Sequence, residues 1–176
     1  MVNVLAEKPM EVDWRFFSLR IANEDRDYDT EFPADYMRGH TRGLELLRVA
    51  AAARAQLGHD CVLPLYSALG TTIHNKGDAV AFDEPSGVER VLAELDYPLA
   101  LAGAAASTEY DDVIRAETKE ALDRCGGNIG TPVLSFSPPD GPSFFGPVIS
   151  RAPTGREAVD LWDAVLTLGP TPISAS

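Results

Sequence analysis

The stretch Gly130-Thr131-Pro132-Val133-Leu134-Ser135-Phe136 decides how this chain is interpreted, because it places a proline at the mouth of an apolar strand. A Thr-Pro bond can be held cis at little cost, since the tertiary amide removes most of the preference for trans. The residue before a proline is also driven into an extended conformation. An extended Thr131 at a strand tip could bind a substrate segment through its backbone, as the edges of peptide-binding sheets do. The alternative is a strand that merely begins at a proline, which is common.

The sequence after this stretch predicts a hairpin followed by a helix. Pro138-Pro139-Asp140-Gly141-Pro142 is a strong turn signal, and residues 144–149 are apolar enough to form the returning strand. Apolar side chains then recur at helical spacing over 158–168. Residues 133–149 are therefore predicted to form an antiparallel pair that precedes a C-terminal helix.

The sequence before this stretch predicts helices with one further strand. Residues 11–18 alternate polar and apolar side chains, which is the pattern of a half-buried strand, and residues 2–6 are typical of a helix that ends before Pro9. Helical spacing recurs in four later segments, which are 41–57 (closed by Gly58), 62–76, 88–95 and 107–124. Without the central helices, the order is strand, helix, strand, strand, helix. We therefore predict an α/β fold with a core of residues 1–38 and 107–169, an all-helical insertion of 39–106 and a tail of 170–176.

Composition restricts the partners of this fold. The chain has 176 residues, of which 45% are hydrophobic, so it can bury one sizeable core. Its formal net charge of −12 repels nucleic acid and anionic membrane surfaces. We find no apolar run as long as a membrane span and no secretory leader, and we expect a cytoplasmic protein. Cys61 and Cys125 lie far apart and share no metal-ligand spacing with the histidines, so no metal site is expected.

Short segments in this order resemble the DsbA-like branch of the thioredoxin superfamily. The resemblance is greatest to the actinobacterial mycothiol-dependent reductases, which also resemble FrnE-type proteins and 2-hydroxychromene-2-carboxylate isomerases. It extends over nearly the whole chain and implies a thioredoxin-like sheet that carries the helical insertion. The matching segments are Ser18-Leu19, Asn23-Glu24-Asp25-Arg26, Pro33-Ala34-Asp35-Tyr36, Pro64-Leu65-Tyr66, Ile73-His74-Asn75, Gly130-Thr131-Pro132, Phe144-Phe145-Gly146-Pro147-Val148-Ile149-Ser150 and Leu161-Trp162-Asp163.

The chain departs from this family at its N-terminus. In the family, a first strand leads to a Cys-Pro-x-Cys motif at the start of the first helix, where the helix N-terminus lowers the pKa of the attacking thiol. Residues 1–5 align with the end of that helix, so we expect the first strand and both redox cysteines to be absent. A start codon placed too far downstream is the favoured explanation, and a remnant is the other. We expect a poorly stable chain, a pairing of 12–17 with 133–137, or a strand borrowed from a partner.

The resemblance implies a thiol-binding site around the proline. Thr131 and Pro132, preceded by Gly130, would bind a thiol or disulfide substrate opposite the absent nucleophile. Phe145 lies near the site in the family pattern. No residue of the chain is expected to act as the catalytic dithiol.

Three further residues match positions near the thiol site of the family. Asn23 and Tyr36 match positions where an amide and a phenol can hold a polar thiol cofactor, and their alternatives are loop capping and a partly buried ring. His74 lies where a helix ends, so capping is the alternative to cofactor contact.

Three functions follow as hypotheses. The first is a thiol-disulfide oxidoreductase that reduces disulfides or small electrophiles with a low-molecular-weight thiol, such as mycothiol or a glutathione-like compound, with no tightly bound cofactor and no turnover by this chain. The second is an isomerase or kappa-class transferase that binds glutathione non-covalently. The third is a non-catalytic interaction module whose sheet edge recruits a partner strand, which would require a homodimer or a heterocomplex.

Overall fold

The computed structural model describes residues 2–127 and 129–168 and is mostly helical over them. The helices are α1 (Val2–Leu5), α2 (Leu19–Ala22), α3 (Tyr28–Glu31), α4 (Tyr36–Leu57), α5 (Val62–Gly70), α6 (Pro85–Glu94), α7 (Asp111–Cys125) and α8 (Gly155–Leu168), and the strands are β1 (Val133–Ser135) and β2 (Ser143–Phe145). Three 3-10 segments cover His59–Cys61, Ala79–Asp83 and Leu99–Ala106, and a π-helical turn covers Thr71–Asn75. A mostly helical chain with a small two-stranded sheet is compatible with the predicted α/β class. The tail predicted at 170–176 lies outside the described residues.

The chain divides into two compact units. Among the described residues, those up to Asp13 and those from Glu120 onward form one unit, and Trp14–Lys119 form the other. Helix α7 crosses the boundary between them. The division that the sequence suggests, with a core of 1–38 and 107–169 around an insertion of 39–106, stays a prediction.

The Trp14–Lys119 unit is built around α4. This helix runs for 22 residues and ends at Gly58, whose φ of 90° lies in the left-handed region that suits glycine. The helices predicted over 41–57, 62–76 and 88–95 are confirmed in α4, in α5 with its π-helical turn, and in α6. Their apolar faces form one cluster, in which five side chains are fully buried: Val49, Ala53, Leu65, Leu92 and Ile114.

The strand predicted over residues 11–18 is wrong. Residues 9–17 form neither helix nor strand, and the pairing expected between 12–17 and 133–137 is absent with it. Three alternate backbone N–H groups instead donate to side chains, from Trp14 to His59 Nε2 (3.0 Å), from Phe16 to Glu117 Oε2 (2.6 Å) and from Ser18 to Thr118 Oγ1 (3.0 Å). The period-two pattern therefore indicates an extended segment whose hydrogen-bond partners are side chains and not a second strand.

The other unit joins the hairpin to the helices at both chain ends. The register pairs Val133 with Phe145 and Ser135 with Ser143, which confirms the predicted hairpin with shorter strands. The Phe136 ring lies 6.2 Å from the Trp162 ring of α8, measured between ring centroids. Helix α1 packs against α8 as well.

None of the helices within residues 2–127 and 129–168 combines the length and hydropathy that crossing a membrane requires.

Candidate functional site

The Gly130, Thr131 and Pro132 segment lies at the open end of the hairpin beside Phe145. A Cβ atom added to Gly130 would lie 3.5 Å from Cε2 of the Phe145 ring, an ordinary van der Waals distance, so this ring lies on the side of Gly130 that a side chain would occupy. The Gly146 N–H donates to the Pro132 carbonyl oxygen at 2.8 Å and extends the strand pairing to this end. The structure therefore brings together these four of the residues that the sequence singles out.

The side chains at this end are open to solvent. Thr131 and Pro132 are exposed, and Phe145 keeps 46% of its surface accessible. The peptide bond between Thr131 and Pro132 is cis. This end of the hairpin therefore exposes a hydroxyl group and an aromatic ring, which together suit a ligand with both polar and apolar parts.

The turn at the far end fixes the register that produces this arrangement. The Phe136 N–H donates to the Pro142 carbonyl oxygen at 2.9 Å, and the Gly141 N–H donates to the Ser137 carbonyl oxygen at 3.0 Å. A Cβ atom on Gly141 would lie 1.7 Å from the Phe136 carbonyl oxygen, so only glycine fits there. A slip of one residue would move Phe145 to the opposite face of the hairpin.

Asn23 lies in the Trp14–Lys119 unit, where its side-chain amide forms hydrogen bonds with residues close to it in sequence. The Asn23 Nδ2 group donates to the Leu19 carbonyl oxygen at 2.8 Å, and its Oδ1 accepts a long bond of 3.5 Å from Arg26 Nη1. The amide therefore closes the last turn of α2, as loop capping predicts. A ligand that used this amide would have to compete with these two bonds.

Tyr36 belongs to an aromatic cluster that the sequence interpretation missed. Its ring is 48% exposed and lies 6.0 Å from the Phe32 ring at an interplanar angle of 28°, and it lies 5.5 Å from the His40 ring. The Phe32 ring stacks in turn on Tyr28 at 4.7 Å. The signal was present, because the cluster recurs at every fourth residue from 28 to 40.

His40 is the titratable member of this cluster. The Tyr28 hydroxyl and His40 Nδ1 are hydrogen-bonded at 2.9 Å. Burial lowers the pKa of His40, and the nearby positive charge of Arg20 lowers it further. Both causes favour the neutral imidazole, so the ring acts as an uncharged packing and hydrogen-bonding group.

His74 is exposed within the π-helical turn Thr71–Asn75. This turn is closed by the Lys76 N–H, which donates to the Thr71 carbonyl oxygen at 3.0 Å. In the part of the chain that the structure describes, no hydrogen bond or ring contact joins His74 to Asn23 or Tyr36. The structure thus places the three residues in one unit without bringing His74 to the other two.

The thiols of Cys61 and Cys125 lack the lowered pKa of an activated nucleophile. Cys61 is buried and Cys125 is partly buried, and neither forms a disulfide. Burial raises the pKa of both thiols, so the thiolate fraction at neutral pH is small. Among residues 2–127 and 129–168, no cluster of three or more His, Cys, Asp or Glu side chains is placed to hold a metal ion.

Two comparisons with known proteins cover nearly the whole chain. The family model described as mycothiol-dependent nitroreductase Rv2466c matches residues 1–174. An uncharacterized protein of Mycobacterium tuberculosis, Rv2286c, is 28% identical over 172 residues, which are 97% of this chain and 69% of that protein. The first match covers far more than half of the chain.

Proposed function

The chain belongs to the Rv2466c-like family of mycothiol-dependent nitroreductases, and we propose that the open end of its hairpin binds the mycothiol of that family. Membership makes a thiol-dependent oxidoreductase the general class of function. The finer proposal is a DsbA-like, thioredoxin-type arrangement in which residues 130–132 and Phe145 bind the low-molecular-weight thiol.

The observation that carries this proposal is that Thr131, Pro132 and Phe145 are all exposed at the same end of the hairpin. The Gly146 N–H donates to the Pro132 carbonyl oxygen at this end, and the Phe145 ring lies on the side of Gly130 that a side chain would occupy. A thiol compound presents an apolar sulfur and methylene next to amides and hydroxyls. The Phe145 ring would contact the sulfur and methylene, and the Thr131 hydroxyl and backbone would form hydrogen bonds with the amides and hydroxyls.

The chemistry of such a family needs a thiolate, because only the thiolate attacks disulfides and electrophiles. A thiolate attacks one sulfur of a disulfide and the other sulfur leaves as a thiolate, after which the thiol co-substrate resolves the mixed disulfide. The 176 residues contain no Cys-x-x-Cys motif, and the pKa values of Cys61 and Cys125 are raised by burial. We therefore assign thiol binding, and not dithiol turnover, to this chain.

Within the Trp14–Lys119 unit, Asn23, Tyr36 and His74 stay proposals as residues that would hold a thiol, on the basis of the family resemblance alone. The exposed ring of Tyr36 supports its assignment. The amide of Asn23 already bonds its own helix end, so its contribution is expected to be smaller.

Isothermal titration of the chain with reduced mycothiol, N-acetylcysteine and glutathione tests the proposal. We expect mycothiol to bind more tightly than either other thiol, and both Thr131→Ala and Phe145→Ala to weaken its binding. Tyr66→Ala is the matched control, because Tyr66 is an aromatic residue on α5 with 67% exposure. Equal affinity in the Phe145→Ala variant, or preferential binding of glutathione, would contradict the proposal, and the latter would favour the transferase or isomerase class.

A further inference from the structure

Arg124 forms three hydrogen bonds with the turn end of the hairpin. It is the next-to-last residue of α7, and its guanidinium donates from Nε to Ser143 Oγ at 2.7 Å, from Nη1 to the Pro139 carbonyl oxygen at 2.6 Å and from Nη2 to the Gly141 carbonyl oxygen at 2.8 Å. All three nitrogens of one side chain are therefore bonded to a segment of five residues. None of these three acceptors is a carboxylate.

The backbone link between α7 and the hairpin includes two glycines. Gly126 and Gly127 have φ values of 84° and 83°, in the region that glycine adopts freely. The Arg124 side chain spans the link, since it starts on the helix before the glycines and ends on the turn beyond β1.

The hydrogen bonds of Arg124 connect it to both strands of the hairpin that carries the candidate thiol site. Ser143 Oγ, which accepts from Arg124, is also hydrogen-bonded to Ser135 Oγ at 2.7 Å, so one guanidinium holds both strands. Phe145 follows Ser143 by two residues, a distance of about 7 Å along a strand. Fixing the turn end of so short a hairpin therefore also fixes the end that carries Phe145 and Pro132.

We propose that Arg124 is a positioning residue that orients the thiol-binding end of the hairpin relative to the last turn of α7, within the same compact unit. This inference rests on the proposed function for the identity of the ligand, but the hairpin contacts stand independently of it. Lysine is not expected to replace Arg124, because the planar guanidinium supplies donors in several fixed directions and an ammonium group cannot reach three acceptors on separate residues.

Hydrogen–deuterium exchange and mycothiol titration of the same variants test the inference. We expect Arg124→Ala to accelerate amide exchange over residues 131–146 by about tenfold or more, because a hydrogen bond to a charged group is worth at least that factor in a local opening equilibrium. Mycothiol affinity should fall in parallel, Arg124→Lys should be intermediate, and added methylguanidinium should partly restore slow exchange in Arg124→Ala. Ser143→Ala, which removes one of the three acceptors, provides a milder variant if Arg124→Ala fails to fold.

Arg156→Ala is the matched control, because this α8 arginine is 85% exposed and bonds Asp160 one turn away. It should leave both exchange and affinity unchanged. Exchange over 131–146 within about twofold of the wild type in both Arg124→Ala and Arg124→Lys would overturn the inference. Accelerated exchange with unchanged mycothiol affinity would overturn the positioning of the thiol site. If the wild-type chain binds no mycothiol, the proposed function fails, and the exchange data alone decide whether Arg124 orients the hairpin.

Discussion

Replacing Glu117 by alanine is expected to lower the free energy of unfolding by about 3–5 kcal/mol. The Glu117 side chain lies on α7 and is only 7% exposed. Its carboxylate accepts the Phe16 N–H at 2.6 Å and Arg54 Nη2 at 2.7 Å, and Arg15 Nη1 lies 3.7 Å away. The loss of this one carboxylate therefore leaves the buried Phe16 N–H and the partly buried Arg54 guanidinium without their acceptor.

The magnitude follows from which groups lose their partner. The Arg54 side chain is 18% exposed and its Cζ lies 4.0 Å from the centroid of the Phe16 ring, so it cannot turn to water without leaving that ring. Breaking a buried ion pair by removing one partner costs about 3–5 kcal/mol, and an exposed pair costs about 0–1 kcal/mol. For a chain of this size, the expected loss corresponds to a fall in Tm of about 6–20 °C.

Urea unfolding followed by circular dichroism measures this loss. Glu117→Gln should lose less than Glu117→Ala, because the amide oxygen can still accept the Phe16 N–H while the charge attraction to Arg54 is gone. A double-mutant cycle with Arg54→Met should show coupling, since removing both partners leaves no unpaired charge. Glu89→Ala on the exposed face of α6 is the control and should change the free energy by at most about 0.5 kcal/mol. A loss below about 1 kcal/mol in Glu117→Ala would refute the reasoning.

Three further predictions concern other groups. In NMR titration, the pKa of His40 in the folded chain should lie below its ordinary value of about 6.5. Because the unfolded chain then binds this proton more readily than the folded chain, the free energy of unfolding should fall as the pH drops below about 6.5. This fall should be smaller in His40→Gln. Gly87→Ala should lower the free energy of unfolding in urea by about 1–3 kcal/mol, because its Cβ would lie 1.8 Å from the Ala81 carbonyl oxygen. Gly43→Ala, in α4 with no atom near its Cβ position, should instead raise this free energy by about 0.5–1 kcal/mol. Equal effects of the two substitutions would contradict the reasoning. Cys61 and Cys125 should both react with a disulfide reagent at neutral pH more slowly than free cysteine, because burial raises their pKa values, and a fast phase would show the opposite.

The helices could be predicted from the sequence because their signals are local. Apolar spacing and a terminal glycine are enough to place the end of α4 at Gly58, and the same holds for the hairpin, whose turn needs Gly141. These features depend on residues within a few positions of one another. Contacts with residues distant in the sequence are therefore not needed to identify these elements.

The strand expected over residues 11–18 failed for the opposite reason. Alternating side chains report an extended backbone, but they do not report what receives its N–H groups. Here Glu117 and Thr118 accept two of these groups, and both lie about a hundred residues further along the chain. A buried carboxylate facing a backbone donor has no sequence signature of its own, because most glutamates are solvated.

The candidate site was predictable only in part. Residues 130–132 drew attention through the proline that opens a strand, Phe145 was singled out only by the family resemblance, and the structure places them at the same end of the hairpin. Arg124 was missed, because its position near a helix end suggests an ordinary favourable interaction with the helix dipole, and its three hairpin acceptors become visible only in three dimensions.

The composition of the hairpin end limits what its variants can change. Glycine, threonine, proline and phenylalanine carry no group that titrates near neutral pH, so the side chains of this end offer no base that could ionise the thiol proposed to bind there. Neither Cys61 nor Cys125 has the lowered pKa that would supply a thiolate. Substitutions at Thr131 or Phe145 should therefore alter the affinity for the thiol without shifting the pH dependence of its binding, which would follow the ionisation of the bound thiol itself.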